Sequence, residues 1–341
     1  MRGRGDGDAF ASAVGCAGQD RYTGAMTEVY RDVAGPCVAP GGSVVTVGAF
    51  DGLHRGHRAL LARVRERADA LGVAATAISF EPLPRAFFSP VPVPRLASVR
   101  EKLVGLREAG MDRVLLLRFN AALTAMTAED FVRTVLVQRV AAREVWVGGD
   151  FRFGHKRAGD FALLERMGAA LGFTANAMPA QQIDGEQVSS SAIRKALADG
   201  QFAHAARLLG RPFAISGHVV EGEKLGRTLG YPTANVPLGP RVTPLQGIFA
   251  VRVDLDDGRL GLPGVASLGV RPTVNHLAQP LLEAHLFDFD EDLYGRRIRV
   301  EFVEHLRDEA KFDDLDALVA QMDRDAAAAR AVLGIAPAEG A

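Results

Sequence analysis

Cysteine is nearly absent: the 341 residues hold two, Cys16 and Cys37. Two thiols near one end build neither a disulfide framework nor a cysteine-based zinc site, and such scarcity suits a reducing cytoplasm. No apolar run reaches 18 residues, so no membrane span and no membrane partner are expected. Arg2 and Arg4 are not followed by an apolar stretch, so no secretory signal is expected either. Neither sign of charge is in excess: Lys and Arg total 40, Asp and Glu 41, for a formal net charge of −1. The surplus of cations that a non-specific polyanion binder needs is missing, so nucleic acid is not an expected partner, while a local basic pocket for a small phosphate remains open. What is present is the composition of a folded globular chain, 48% hydrophobic and 24% charged, long enough for two domains.

Residues 1–42 read as a probable disordered tail, rich in Gly, Ala and Asp and without sustained periodicity, with Met26 a candidate start. From Ser43 strands and helices alternate. Val44–Phe50 is an apolar run suited to a buried parallel strand, and Leu60, Leu61, Val64, Ala68 and Leu71 form a helical stripe that Gly72 ends. Ser98 and Glu101 have the spacing of a capping box. The alternation continues to about residue 210 and predicts a parallel sheet covered on both faces. After Gly210-Arg211-Pro212, strand-like runs follow one another, with Asp257-Gly258 a hairpin signal and Ile298, Val300 and Phe302 alternating with charged residues. That pattern predicts an antiparallel barrel over 211–335, closed by a helix from about Asp314 to Leu333.

The turn after the first strand of 43–210 carries Gly48-Ala49-Phe50-Asp51-Gly52-Leu53-His54-Arg55-Gly56-His57. In open α/β sheets ligands bind beyond the carboxyl ends of strands, where helix-end amides favour an anion. His54 and His57, three apart, fall on one side of a helical turn, and Gly56 leaves room for close approach of a phosphate. Two imidazoles beside such amides suit phosphoryl or nucleotidyl transfer. The alternatives are an ordinary surface turn, or a metal site whose ligand set would be incomplete. Downstream, Ser190 and Ser191 open a helix with Arg194 one turn on, either a phosphate grip or a cap with a solvated arginine. Asp150 follows a buried strand at the same sheet edge. Phe151 and Phe153 offer either a stacking surface or core packing.

These residues carry a resemblance. The HxGH segment is similar to the nucleotidylyltransferase signature, and the longer GxFDGxHxGH form resembles the adenylyltransferase half of bacterial bifunctional riboflavin kinase/FAD synthetases. Phe80-Glu81-Pro82-Leu83-Pro84, Gly148 through Gly154 (GGDFRFG) and Val188 through Arg194 (VSSSAIR) resemble further segments of that family. The resemblance implies a Rossmann-like nucleotidylyltransferase domain over 43–210. His54, His57, Ser190, Ser191 and Arg194 would hold the ATP triphosphate, with Gly48, Phe50, Asp51, Gly56 and Asp150 around the nucleotide.

In the second half, spaced glycines including Gly226 permit a loop over phosphates, and Gly230-Tyr231-Pro232-Thr233-Ala234-Asn235 places a hydroxyl and an amide oxygen two residues apart. Such oxygens suit Mg²⁺ shared with ATP phosphates, or serve a local turn. The PTAN segment resembles riboflavin kinases, as do the stretches around Arg271 and from Leu282 to Gly295. By that resemblance Thr233 and Asn235 bind Mg²⁺ and ATP, Gly226 and Arg271 lie at the nucleotide, and Glu283 is the general base for the riboflavin 5′-hydroxyl. From the residues alone the favoured reading of Glu283 is an exposed strand residue or part of a structural ion pair. The expectation is a bifunctional enzyme making FMN from riboflavin and FAD from FMN, with ATP in both steps. A different nucleotidylyltransferase fused to an unrelated barrel lacks a reason for PTAN and Glu283. A flavin-binding regulator lacks one for intact HRGH, and an RNA-binding barrel would want a basic aromatic stripe.

Overall fold

A computed structural model describes residues 27–222, 225–271 and 279–336, apart from the side chains of Leu225, Val270, Arg271 and Gln279. Met26, Glu223-Lys224 and Pro272-Thr273 lie outside the described residues, as does the tail before residue 27. Six strands, β1 (Glu28–Arg31), β2 (Ser43–Val47), β3 (Ala74–Glu81), β4 (Arg113–Arg118), β5 (Ala142–Gly148) and β6 (Thr174–Met178), form one sheet in the order β1-β4-β3-β2-β5-β6. Every neighbouring pair is parallel. β2 is buried at all five residues, which is why its run is apolar rather than alternating. The Arg55–Leu71 helix turns Leu60, Leu61, Val64 and Ala68 to the sheet and stops at Gly72, whose φ of 62° is left-handed.

The expectation of a structureless stretch through residue 42 is corrected. β1 pairs with β4 from Glu28↔Arg113 to Arg31↔Leu116, and Val38 and Ala39 are buried beneath the sheet. The buried Arg139 guanidinium holds this segment by donating to the carbonyls of Arg31, Asp32 and Pro36. A four-residue, largely exposed edge strand has no apolar period of its own, and the contacts that place it come from β4 and Arg139, about 85 to 108 residues away in the chain.

A short hairpin, β7 (Gln182–Ile183) and β8 (Glu186–Gln187), leads to helices Ser190–Ala198 and Phe202–Leu209. Strands β9 (Ala214–His218), β10 (Ala234–Pro237), β11 (Gly247–Leu255), β12 (Leu262–Arg271), β13 (Gln279–Leu286) and β14 (Arg297–Arg307) then pair antiparallel in the order β10-β13-β12-β11-β14-β9. Beyond β9, the Val220 N–H donates to the Asn235 carbonyl at 2.9 Å, nearly closing the barrel. The Leu315–Leu333 helix, capped by Asp314, lies outside the barrel, with Ala329 and Leu333 packed on Ala250 and Phe287.

No solvated linker separates the sheet from the barrel. Ile193, Leu197, Phe202, Ala205 and Leu208 share one core with Phe249, Val251, Val300 and Phe302, and the Phe202 and Phe249 rings lie 6.0 Å apart. The Phe202–Leu209 helix ends at Gly210 in the left-handed region, four residues before β9.

Candidate active sites

Strand order reverses between β2 and β5: the chain steps outward to β3 and β4 on one side and to β6 on the other. At such a switch point the loops splay apart and leave a crevice at the carboxyl edge. A cavity of about 310 Å³ opens there, lined by Gly48, Phe50, His54, Gly56 and His57 from the β2 side, Gly148, Gly149, Asp150 and Phe151 from the β5 side, and Ser189 and Ser190. Gly48 has no side chain because the Phe50 ring lies where a Cβ would be, 3.0 Å away. A Cβ on Gly56 would crowd the His54 ring at 3.3 Å.

His54 caps the Arg55–Leu71 helix, its Nδ1 accepting the His57 N–H at 3.3 Å. A ring nitrogen that accepts carries no proton, so the neutral His54 ring has its N–H at Nε2. The two imidazoles stack, centroids 3.6 Å apart, and the buried Phe50 ring meets His57 edge-on at 5.2 Å. Burial, with a lesser contribution from Arg194, pushes His54 down to about 4. Burial, followed by His54 and Lys102, drives His57 well below its ordinary value. Both rings are therefore neutral donors at pH 7, and the buried His57 Nδ1 has no hydrogen-bond partner among the described residues.

The other residues expected here divide into two groups. Asp150 is exposed at the cavity rim and Ser190 lies on its wall, its hydroxyl donating to the Asp51 carbonyl at 2.9 Å. Asp51 and Arg194 do not line the cavity. Asp51, 1% exposed, accepts the N–H groups of Leu96 and Ala97 at 3.2 Å and pairs with Arg194 at 2.5 Å; Arg194 also donates to the Pro94 carbonyl at 2.6 Å. In this structure Arg194, expected to grip a phosphate directly, sits in a buried pair with Asp51 behind the cavity wall. Ser191 points elsewhere, accepting from Arg85 at 2.9 Å, and the helix cap expected of Ser190 and Ser191 falls to Ser189, which accepts the Ala192 N–H. Phe151 and Phe153 stack on each other at 5.2 Å, with Phe153 in the core.

One further residue escaped motif reasoning. Lys102 is wholly buried, its ammonium 3.0 Å from the Phe80 carbonyl and 3.7 Å from Glu81, and burial brings it down to about 8. The available signal was a lysine on the buried face of an amphipathic helix.

In the barrel, register brings the second group together. Asn235 lies opposite Glu283, and Glu283 lies opposite Ser267 on the next strand, so the three share a row across β10, β13 and β12. Glu283 is half-buried and lines a cavity of about 390 Å³ with Gly226, Tyr231, Thr233, Ser267, Phe312 and Met322. A second cavity, of about 450 Å³, lies on the other side of Thr233 and includes Arg227, Phe289 and Tyr294. The PTAN segment is braced twice. His285 Nδ1 donates to the Pro232 carbonyl at 2.9 Å, and Tyr231 donates to Asp323 on the final helix. Burial, then the bond to Asp323, pushes Tyr231 up to about 12. Gly226 is required where a Cβ would strike the Tyr231 carbonyl at 2.4 Å, and Gly222 where one would strike the Asn235 amide at 2.7 Å. The Arg271 backbone closes β12, and its side chain lies outside the described residues.

Two ligand-sized cavities, one at a switch point of a parallel sheet and one between the outer face of a small barrel and the final helix, give the chain two candidate small-molecule centres. A family model for FAD synthetase matches residues 38–192, and one for riboflavin kinase matches residues 209–333. The chain is 49% identical to a bifunctional riboflavin kinase/FMN adenylyltransferase of Pseudomonas fluorescens, over 85% of this chain and 93% of that one. It is 46% identical to the protein of that name from Escherichia coli (strain K12), over 86% and 94%. It therefore belongs to the bifunctional riboflavin kinase/FMN adenylyltransferase family. A solved structure named as a macrolide-efflux protein from Streptococcus pneumoniae aligns with a TM-score of 0.71 at 28% identity, over 87% of this chain and 97% of that one. That name speaks of efflux, whereas both family models and the curated relatives name flavin enzymes. Among the described residues no helix is long and apolar enough to cross a membrane.

Proposed function

We propose that the barrel transfers the γ-phosphate of ATP to the 5′-hydroxyl of riboflavin, giving FMN and ADP, and that the sheet domain joins FMN to AMP from a second ATP, giving FAD and pyrophosphate. The observation that carries the reading is the presence of both constellations in one chain: stacked neutral His54 and His57 at the switch-point cavity, and Glu283 in register with Asn235 beside Thr233. The domains are taken as 43–210 and 211–335, with the segment from Glu28 joined to the first.

In adenylylation an FMN phosphate oxygen attacks the ATP α-phosphorus and pyrophosphate departs, so no protein nucleophile is needed. The protein's task is to stabilise charge gathering on the triphosphate. Neutral imidazoles can donate from His54 and His57, and the amides opening the Arg55–Leu71 helix add their partial positive charge. Ser190 stands on the same wall, while Asp51 and Arg194 position it from behind.

In phosphorylation, Glu283 takes the 5′-hydroxyl proton as the oxygen attacks the γ-phosphorus and ADP leaves. Phe312, Leu318, Met322 and Tyr231 around its cavity suit a flat flavin ring, and the cavity across Thr233 is the entry for ATP. Thr233 and Asn235 would hold Mg²⁺. A hydroxyl and an amide oxygen form a partial ligand set for a hard cation that keeps phosphate and water ligands; the Asn235 amide is buried against Gly222, its nitrogen donating to the Thr233 carbonyl at 3.3 Å. When bound, the ion neutralises phosphate charge. The cysteine usage makes the cytoplasm the proposed setting.

Reciprocal variants test the assignment. His57→Ala should lower FAD formation from supplied FMN on the order of 10²–10³-fold while FMN still accumulates from riboflavin. Glu283→Gln should lower riboflavin phosphorylation roughly 10²–10⁴-fold and spare adenylylation. Chromatographic separation of the flavins reads both, and a variant that loses neither activity removes that residue from its site.

A further inference from the structure

The loop that closes the back of the adenylylation site is held from the barrel. Segment 94–101 runs between the two halves of the chain. On one side the Leu96 and Ala97 N–H groups and the Pro94 carbonyl grip Asp51 and Arg194. On the other side, Arg95 N–H donates to the Val242 carbonyl at 2.8 Å, and Leu96 enters the barrel-side core with Leu245. Glu101 bonds Arg241 at 3.1 Å and accepts the Ser216 N–H at 2.8 Å. The pair is largely buried, with side-chain exposures of 11% for Arg241 and 17% for Glu101. Arg211 adds a bond at 3.0 Å to the carbonyl of Gly52, next to Asp51, and a Cβ on Gly52 would strike Leu96 at 2.9 Å.

We propose that Arg241, a residue of the kinase half, is a positioning residue for FMN adenylylation, acting through Glu101 and the 94–98 backbone on Asp51, Arg194 and Ser190. The path is continuous. Asp51 gives its carbonyl to the Ser190 hydroxyl and its carboxylate to Arg194 on the same helix, so a shift of the 94–98 backbone moves the wall on which Ser190 stands. Arg241 lines neither barrel cavity, so the kinase reaction has no direct use for it. The proposal rests on the adenylyl-transfer reading of the switch-point cavity.

The test uses the full-length chain with Arg241→Met, Arg241→Lys and Glu101→Gln. Gln at 101 removes the charge facing Arg241 and, with one carbonyl oxygen in place of two, keeps an acceptor for only one of the Ser98 and Ser216 amides. Both activities are measured in one sample. FAD formation from supplied FMN should fall in kcat by roughly 10- to 100-fold in Arg241→Met and Glu101→Gln, the scale of a small misplacement remote from the chemistry. Arg241→Lys should recover part of it, and riboflavin phosphorylation should stay at the wild-type rate. If Arg241→Met does not fold, Glu101→Gln decides. Unchanged FAD formation, or an equal loss of both activities, overturns the strut. A wild-type chain that makes FMN and no FAD overturns the reading of the cavity itself.

Discussion

His54 does two jobs with one ring: Nδ1 caps a helix and the ring lines the switch-point cavity. Its depressed value has a consequence for stability. In the unfolded chain the ring titrates near 6.5, and in the fold near 4. The stability tied to the neutral ring is therefore fully present above pH 6.5 and is lost as pH falls from there towards 4, by up to about 3 kcal/mol. His54→Asn keeps a side-chain cap and removes the titration, so urea denaturation across that window should show a flatter profile for the variant. Equal slopes would mean that His54 is not held neutral. At this scale the motif His-Arg-Gly-His was legible because all its members lie within one turn. The role of Arg194 was not, because its partner Asp51 lies 143 residues away and only folding pairs them. Lys102 was hidden for a similar reason: its acceptor, the Phe80 carbonyl, belongs to another element.

The Ser190–Ala198 helix shows how an element can be anticipated while its details shift by one residue. Its apolar positions Ile193, Ala196 and Leu197 are buried, as periodicity requires, but the cap is Ser189. Three consecutive serines are indistinguishable by type, and only backbone geometry selects which of them has the extended φ and ψ of a cap. Ser189→Ala should cost about 1 kcal/mol in chemical denaturation. Ser191→Ala, which removes only an exposed bond to Arg85, should stay within about 0.5 kcal/mol. The reverse ranking would return the cap to Ser191. The capping box at Ser98 and Glu101, by contrast, forms as its spacing predicts, since both partners lie within one helical turn. Glu101 then takes on a task its spacing did not announce. Burial alone would raise its carboxyl, but Arg241 and the amides of Ser98 and Ser216 outweigh that and hold it below its ordinary value.

At the scale of the whole molecule, the change from alternating helices and strands to consecutive strands near residue 210 marks a change of architecture but not a clean cut. The two helices before it belong to the barrel's core, with Phe202 against Phe249. A fragment of residues 211–341 should convert riboflavin to FMN and make no FAD, because PTAN and Glu283 lie within it. It should melt more than about 5 °C below a fragment of residues 189–341, which retains Ile193, Phe202 and Leu208 over the apolar surface. Equal melting temperatures would deny the helices their role in the barrel core, and FAD synthesis by either fragment would put the adenylyl-transfer site in the wrong half.

Sequence alone determined what depends on near neighbours: the buried strand at Ser43–Val47, the turn of glycines and histidines after it, the stripe and glycine stop of the Arg55–Leu71 helix, and the consecutive strands after Gly210. Periodicity and turn chemistry operate over a few residues, and those residues are adjacent in the chain. Tertiary structure decided the rest: the edge strand at Glu28–Arg31, the row of Asn235, Glu283 and Ser267, the burial of Arg194 on Asp51, and the bond from Arg241 to Glu101 across 140 residues. Each joins segments that meet only after the sheet and barrel have formed. Their energies come from burial and from partners supplied by other elements, so no local pattern encodes them.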